Sequence, residues 1–565
     1  MIVCDYLDEN VKKYLNANKS TKTILTFFKE PFDEYKGNKV IFIDDILDND
    51  DYQKIDIFTK NITDILSKSL KINGYNLFKY LKLRTKIELC KIYKYKYAID
   101  KISRIMSIYS FICFTCETEL LEWLKNYYKI IIFYPPSKRF KFKRYIKEKI
   151  KSFNIVWNIQ SFFFHDSRKN VYNLLWMGMG STNSPLPEEL KKDFKFFLLE
   201  NDLNRKVCFL KRRKKFNVLR LQSQENYICI WHKIESEYDK TLDKIAFKMG
   251  VKSNQANMLL KNLKIKLKYL FDVLYILEEN IKNLDLLLVA HSLNGEMGLA
   301  VDFFKKHKLP TIEVIHGIPG AFEHNKNIGK IAVNGKRDKI FYTNHGVNSQ
   351  KVVVTGCPRY DKFFHIREEQ KKYNHLLLIL DWIAFTSSSR TSMDIFRQVM
   401  CMLRLIEQLN KVKLIIKLHP LQTESELMYV RSLVFKNNYY KEYVEVVKDS
   451  DTNELLKMAS IVFTHSSSVG LEALLMKKPV IILDILSGFK SMYELYEGFL
   501  MAKNFDQLLI LTRKVLKDID EYLNLNSQNI KKTVKYLYDD SKGESYKRVA
   551  NLARNCANEY KRRVF

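Results

Sequence analysis

The chain has little glycine and little proline, 17 and 10 residues in 565. It shows no internal repeat and no long low-complexity run. Apolar residues make up 46%, which excludes a disordered chain and provides for a large packed core. No stretch approaches the roughly 20 uninterrupted apolar residues that a spanning helix needs. The first twelve residues lack the apolar region of a secretory signal. The expectation is a cytoplasmic protein, soluble or peripheral at the inner face of the cell membrane. Of nine cysteines only Cys113 and Cys116 are close in sequence. With no second pair, they indicate neither a zinc site nor a redox motif. No metal and no cofactor are expected, and scattered thiols fit a reducing compartment.

Acidic residues are also in short supply. Lys and Arg number 95 against 64 Asp and Glu, a net charge of +31. Such a surplus implies an anionic partner: a phosphorylated substrate, an acidic membrane face or nucleic acid. AT-rich coding, which favours Lys, Ile, Asn, Tyr and Phe, accounts for part of it. Two basic clusters, residues 138–151 interleaved with Phe and Tyr and residues 211–215, suit an anionic ligand or a membrane. The plainer reading of both is a solvated helix face. No zinc- or RNA-binding module is visible, so nucleic acid is not expected as a partner.

The length implies two to four domains. Within residues 1–280 strands are expected at 39–44, 129–134, 216–221 and 227–231, between helical patterns rich in Lys, Tyr and Leu. From Leu284 the pattern sharpens. Strands are expected at 285–290, 311–315, 339–343 and 351–355, with a helix over 295–307. A second series begins at His375, with strands at 375–380, 412–418, 443–447, 460–464 and 479–484. Helices at 391–410, 424–435, 451–458 and 468–476 separate them. Strands alternating with helices predict parallel sheets covered on both faces. The division expected is an N-terminal Rossmann-like domain with basic helical insertions (1–370), a doubly wound domain (371–503), and helices that pack back toward the cleft (504–565).

Ligands of open parallel sheets bind beyond the carboxyl ends of the strands. That rule selects Lys417, His419 and Pro420 after one strand, and Ser466, Ser467 and Ser468 after another. A helix start offers free N–H groups and a favourable dipole to an anion, and three hydroxyls add donors. The alternative is a serine cap with no ligand. Leu471 stands where a capping box needs Glu, which leaves Glu472 available for a ribose hydroxyl. His419 would donate to a phosphate and stabilise a leaving nucleotide. In the preceding half, His291 ends a strand and Glu296 opens a helix. Either would take a proton from an acceptor hydroxyl, although Glu296 is also a good first-turn residue for the helix dipole. His316 and Gly317 end the next strand, and Gly317 and Gly320 permit close backbone approach.

These motifs resemble a known group. Lys417-Leu-His419-Pro420, then Ser466-Ser467-Ser468-Val-Gly-Leu-Glu472-Ala-Leu, then Lys478-Pro-Val-Ile481 resemble the GT-B glycosyltransferases of bacterial surface polysaccharide assembly. Capsule and Kdo transferases, polysialyltransferases and CDP-glycerol glycerophosphotransferases belong to that group. His316-Gly317 and Gly356-Cys-Pro358-Arg359-Tyr360-Asp361 fit as well, placing Gly356 and Arg359 in the cleft. The resemblance implies a GT-B fold, two Rossmann-like doubly wound domains facing a central cleft with C-terminal helices crossing back. It implies inverting, metal-independent transfer from a nucleotide-sugar donor, such as a CMP-linked acidic sugar, to a glycan or lipid-linked acceptor. His419 and the serines would hold the donor phosphate. The acidic pair followed by glycine of many sialyltransferases is absent; Asn294-Gly-Glu296 stands there instead. Two other readings remain. A nucleotide-sugar 2-epimerase shares this architecture, but its comparable loop reads Asp-Ser-Gly-Gly where this chain has His465-Ser-Ser-Ser468. A basic nucleic-acid- or membrane-binding protein would explain the charge alone.

Overall fold

The computed structural model describes residues 2–4, 23–26, 39–42, most of 46–114, 129–132, 172–177, 184–199, 217–219 and 225–249. It further describes 261–365 except 294 and 316–324, and 375–564 except short stretches, the longest of them 382–390 and 486–490. The basic clusters at 138–151 and 211–215, and Cys116, lie outside the described residues.

Three parallel sheets follow one another along the chain. The first has five strands, β1 (Ile2–Cys4), β2 (Thr23–Thr26), β3 (Lys39–Phe42), β6 (Ser110–Phe114) and β7 (Lys129–Ile132), ordered β3-β2-β1-β6-β7. A small hairpin, β4 (Lys71–Ile72) and β5 (Tyr75–Asn76), lies between the helices Asn49–Ser69 and Lys82–Met106. The second sheet has seven strands: β8 (Tyr172–Met177), β9 (Phe194–Leu199), β10 (Asn217–Leu219), β11 (Leu286–Val289), β12 (Thr311–Val314), β13 (Lys330–Val333) and β14 (Val352–Val354). Their order is β10-β9-β8-β11-β12-β13-β14. The third contains β15 (His375–Ile379), β16 (Leu414–Lys417), β17 (Val444–Val447), β18 (Ala459–Thr464), β19 (Val480–Leu483) and β20 (Leu500–Ala502), ordered β17-β16-β15-β18-β19-β20. Counted from its own first strand, the third sheet reads 3-2-1-4-5-6, the order of doubly wound nucleotide-binding sheets. The second sheet extends the same order by one strand. The expected pair of Rossmann-like domains is therefore present.

The first sheet is a departure. One sheet with helical insertions was expected across 1–370, and the strands there form two. Residues 227–231 are a second correction, since they belong to the helix Glu225–Met249. Tyr227, Ile234, Tyr238, Leu242 and Ile245 are buried along it. That is a helical period, which a five-residue apolar window cannot reveal. Residues 339–343 are a third, for they lie in the helix Lys336–Asn344 while the strand is β13 just before it. Asp338 in the first turn accepts the Asn334 N–H at 3.2 Å and starts the helix.

Sheet composition follows from burial. β11 and β19 are buried along their whole length and read as continuous apolar runs, as strands covered on both faces must, while the equally buried β12, β15 and β18 carry Thr311 and Glu313, His375, and Ser460 and Thr464. One cover of the second sheet comes from the far end of the chain. The helix Ser545–Val564 buries Val549, Ala550, Ala553 and Ala557 in a cluster with Trp176, Phe196, Leu286, Leu288, Ile312 and Val314. Alanines at this spacing let helix and sheet approach closely. Arg554 clamps the helix from outside, bonding Glu189 at 2.9 Å and Asp193 at 2.5 Å.

The motif Gly356–Asp361 fastens the start of this helix. Asp361 is buried, and its carboxylate accepts the Ser545 and Tyr546 N–H groups at 3.1 and 2.9 Å. These are helix-end donors that otherwise lack partners. Gly356 has φ +75°, and a Cβ there would sit 2.1 Å from Ser545 Oγ. No described helix is long and apolar enough to cross a membrane. Asp361→Ala should lower stability by about 2 kcal/mol, by analogy with lost helix caps. Gly356→Ala should cost more, because it adds backbone strain to the clash. Urea unfolding of both variants measures the ranking.

Candidate active site

The switch point of the third sheet lies between β15 and β18. β15 leads to Asp381, and β18 runs into His465 and the three serines. Asp381 ties the two loops together. Its Oδ2 accepts the Ser466 N–H at 2.9 Å and lies 3.4 Å from His465 Nδ1, while Oδ1 accepts from Thr464 Oγ1 at 3.2 Å. Ser466 Oγ meets the same His465 Nδ1 at 2.9 Å. Aspartate and serine thus share one ring nitrogen, whereas a nucleophilic triad needs them on opposite nitrogens. The arrangement braces a loop and does not activate a serine. From the other side, Tyr493 donates its hydroxyl to Ser467 O at 2.7 Å, and Ser491 Oγ donates to His465 O. Where the helix Val469–Leu475 begins, Ser468 makes no side-chain cap bond, and Ser467 Oγ accepts the Val469 N–H at 3.3 Å.

β16 delivers the second group. Lys417 is buried and donates to the Leu418 and Lys448 carbonyls at 2.9 and 2.6 Å. Its ammonium is engaged with main chain, so it influences a ligand through its charge. The turn at His419-Pro420 is fixed by Gln422, whose side chain accepts the His419 N–H at 2.7 Å and whose N–H returns to His419 O at 3.0 Å. Burial, followed by the charges of Lys417 and Arg359, pushes the His419 pKa below its ordinary value, with Asp381 opposing.

Arg359 reaches this site from the loop after β14 in the second sheet. Its Nη2 donates to Glu472 Oε1 at 3.0 Å, with the arginine side chain 41% exposed and the glutamate 3%. Burial raises the Glu472 pKa, and Arg359 and Lys362 oppose that rise. Arg359, His419, Glu472 and the serine loop are thereby brought into one electrostatic neighbourhood. A cation with substantial exposure beside a histidine held neutral is a fit receptor for a phosphate.

His291 and Glu296 occupy the switch point of the second sheet, after β11 and in the first turn of the helix Gly295–Lys306. Both are half-buried. His291 Nδ1 accepts the Leu293 N–H at 3.1 Å. Behind them, Ser292 Oγ donates to Glu313 Oε2 at 2.6 Å, and both side chains are buried. Burial pushes the Glu313 carboxyl up to about 7, against the Ser292 hydrogen bonds. His316, Gly317, Gly320 and residues 386–389 lie outside the described residues. Asp381, Glu313 and Tyr493 escaped the sequence reading. Asp381 was accessible to it, as an acid just beyond the strand that adjoins the switch point. Glu313 lies inside a strand and carried no signal.

A family model matches the stretch that holds the third-sheet part of this site. Residues 323–552 match the family model for CDP-glycerol:poly(glycerophosphate) glycerophosphotransferase. That stretch is glycerophosphotransferase-like. It includes Arg359, Lys417, His419, the serine loop and Glu472, so the resemblance drawn from the motifs is borne out, on one member of the group named. The teichoic acid poly(ribitol-phosphate) polymerase of Bacillus spizizenii is 26% identical over 293 residues, 48% of this chain. The match spans 43% of that relative's length. Among solved structures, the wall teichoic acid polymerase TagF superposes with a TM-score of 0.39 at 11% identity, covering 75% of this chain and 99% of that one. The UDP-GlcNAc 2-epimerase of Methanocaldococcus jannaschii gives 0.41 at 13% identity, covering 68% and 99%.

Glu313 yields a stability prediction. It holds its proton more tightly folded than unfolded, so its contribution is complete below pH 4.5 and is lost as the pH rises through about 7. Glu313→Gln should remove a pH dependence on the order of 3 kcal/mol across that window. Unfolding midpoints of both proteins between pH 4 and about 8 would show it.

Proposed function

We propose that the protein transfers a polyol-phosphate group from a CDP-activated donor to a growing cell-envelope polymer at the cytoplasmic face of the membrane. The observation that carries this is the Arg359–His419–Glu472 cluster beside the braced serine loop, inside the stretch that matches the glycerophosphotransferases. In the reaction an acceptor hydroxyl attacks the phosphorus that bears the polyol. A new P–O bond forms, the P–O bond to the nucleotide breaks, and CMP leaves with the bonding pair. Arg359 and His419 take up the charge that grows on the departing phosphate. The serine loop orients the donor, and Glu472 exchanges Arg359 for a ribose hydroxyl. His291 or Glu296 receives the acceptor's proton. The basic excess of the chain suits a polyanionic product and an acidic membrane.

A donor panel tests this. CMP release from CDP-glycerol or CDP-ribitol with an acceptor polymer supports it. Release only from a CMP-linked acidic sugar would move the chain to the sialyl- and Kdo-transferase side of the resemblance, and isomerisation of UDP-GlcNAc without an acceptor would make it an epimerase. His419→Ala should reduce turnover by about 100-fold or more while leaving the unfolding midpoint in place.

His419 also predicts a proton effect. Its pKa is depressed in the free protein, and a bound phosphate raises it. Donor binding should therefore take up a proton, and affinity should weaken as the pH rises through the free and bound values. Titration calorimetry in two buffers of different ionisation enthalpy reads that uptake, which His419→Gln should abolish.

A further inference from the structure

Residues 291–293 leave β11 at the switch point of the second sheet and are held from three sides. From β12, Glu313 accepts the Ser292 hydroxyl at 2.6 Å. From the loop before β13, Asn325 Nδ2 donates to Ser292 O at 3.0 Å. From the helix Gly295–Lys306, Gly298 approaches so closely that a Cβ would lie 2.7 Å from Leu293 O. Asn325 is itself anchored, bonding Asp302 Oδ1 at 3.0 Å, and Asp302 also accepts from Asn327 at 2.8 Å and from the Tyr80 hydroxyl at 2.6 Å. Stability does not call for this arrangement. Burying a carboxyl costs free energy, and an apolar residue in β12 would fill the space at lower cost.

The clamp has a chemical consequence. It sets the turn in which the Leu293 N–H donates to His291 Nδ1 at 3.1 Å. A neutral imidazole whose Nδ1 accepts carries its proton on Nε2. In that tautomer Nε2 gives a hydrogen bond and cannot receive a proton. We infer that His291 is a hydrogen-bond donor to the reacting substrate and not the general base, and that Glu313, acting through Ser292, is the positioning residue that fixes it. The substrate-facing role rests on the transferase reading above; the tautomer and the clamp do not.

The test separates the two. In substrate-free protein carrying 15N-histidine, long-range proton–nitrogen spectra report each imidazole's tautomer, with the His291 signal assigned by its loss in His291→Gln. The expected result is the Nε2–H form for His291 in the wild type. Glu313→Leu should shift it toward a mixture and reduce kcat about 10- to 100-fold with little change in KM. Glu313→Gln keeps an acceptor for Ser292 and should preserve both. Ser292→Ala removes only the hydroxyl and should reproduce the leucine variant's spectrum if that variant folds poorly. An Nδ1–H form in the wild type overturns the inference. So does an unchanged spectrum in both Glu313→Leu and Ser292→Ala, which would leave Glu313 a purely structural role. The expected spectra without turnover of any donor would uphold the clamp and fail the transferase reading alone.

Discussion

An all-parallel sheet must be covered on both faces, because its strands join through crossovers and present apolar side chains on each side. This requirement organises the molecule. It makes strands such as β11 and β19 continuous apolar runs and sets covering helices, such as Gly295–Lys306 between β11 and β12, in the connections. It also sends the final helix back to the second sheet, where Val549 and three alanines complete the core around Trp176 and Leu288. The same requirement leaves one kind of place where polar side chains can collect, the loops at the strand ends. At the switch points these loops diverge to opposite faces and open a crevice. His291 stands at one such point, and Asp381 with the serine loop stands at the other.

Three of the motif's residues divide the labour between fold and site. In Gly356–Asp361, the terminal aspartate caps the returning helix and Gly356 makes room for Ser545. Two residues before the aspartate, Arg359 projects toward the third sheet and pairs with Glu472. The ion pair therefore hangs from the loop that anchors the last helix. A buried glutamate with one cationic partner is costly to leave alone. Under the proposed function, Arg359 turning to a donor phosphate leaves Glu472 in need of another hydrogen-bond donor, which a ribose hydroxyl supplies.

The two halves of the site are built on different physics. The half on the third sheet gathers positive charge while holding the His419 pKa down, through burial and through Lys417, whose ammonium is tied to carbonyls. The opposite side uses a buried carboxyl and a set of neutral hydrogen bonds to hold one turn still. The first arrangement responds to an anion; the second is preset and does not need one.

Much of this was legible beforehand. Every strand of the third sheet but β20, the helix Glu424–Phe435, the helical character of residues 504–565 and the His419 and serine motifs follow from local pattern, since apolar runs and strand-end positions are properties of neighbouring residues. The failures were short windows: residues 227–231 and 339–343 carry apolar runs that fit strand or helix equally, and only their long-range packing chose. Of the first sheet only β3 and β7 were expected; its other strands, β1, β2 and β6, are short and widely spaced, with no run of alternation to mark them. By itself the sequence determined the parallel α/β class and the candidate donor motif. Tertiary structure alone decided that Asp361 is a helix cap, that Lys417 is turned to its own backbone, that Arg359 meets Glu472 and that Glu313 grips Ser292. Apart from the bond from Lys417 to the adjacent Leu418 carbonyl, each of these pairs residues from separate segments, and hydrogen-bond partners at such separation leave no periodic trace in the chain.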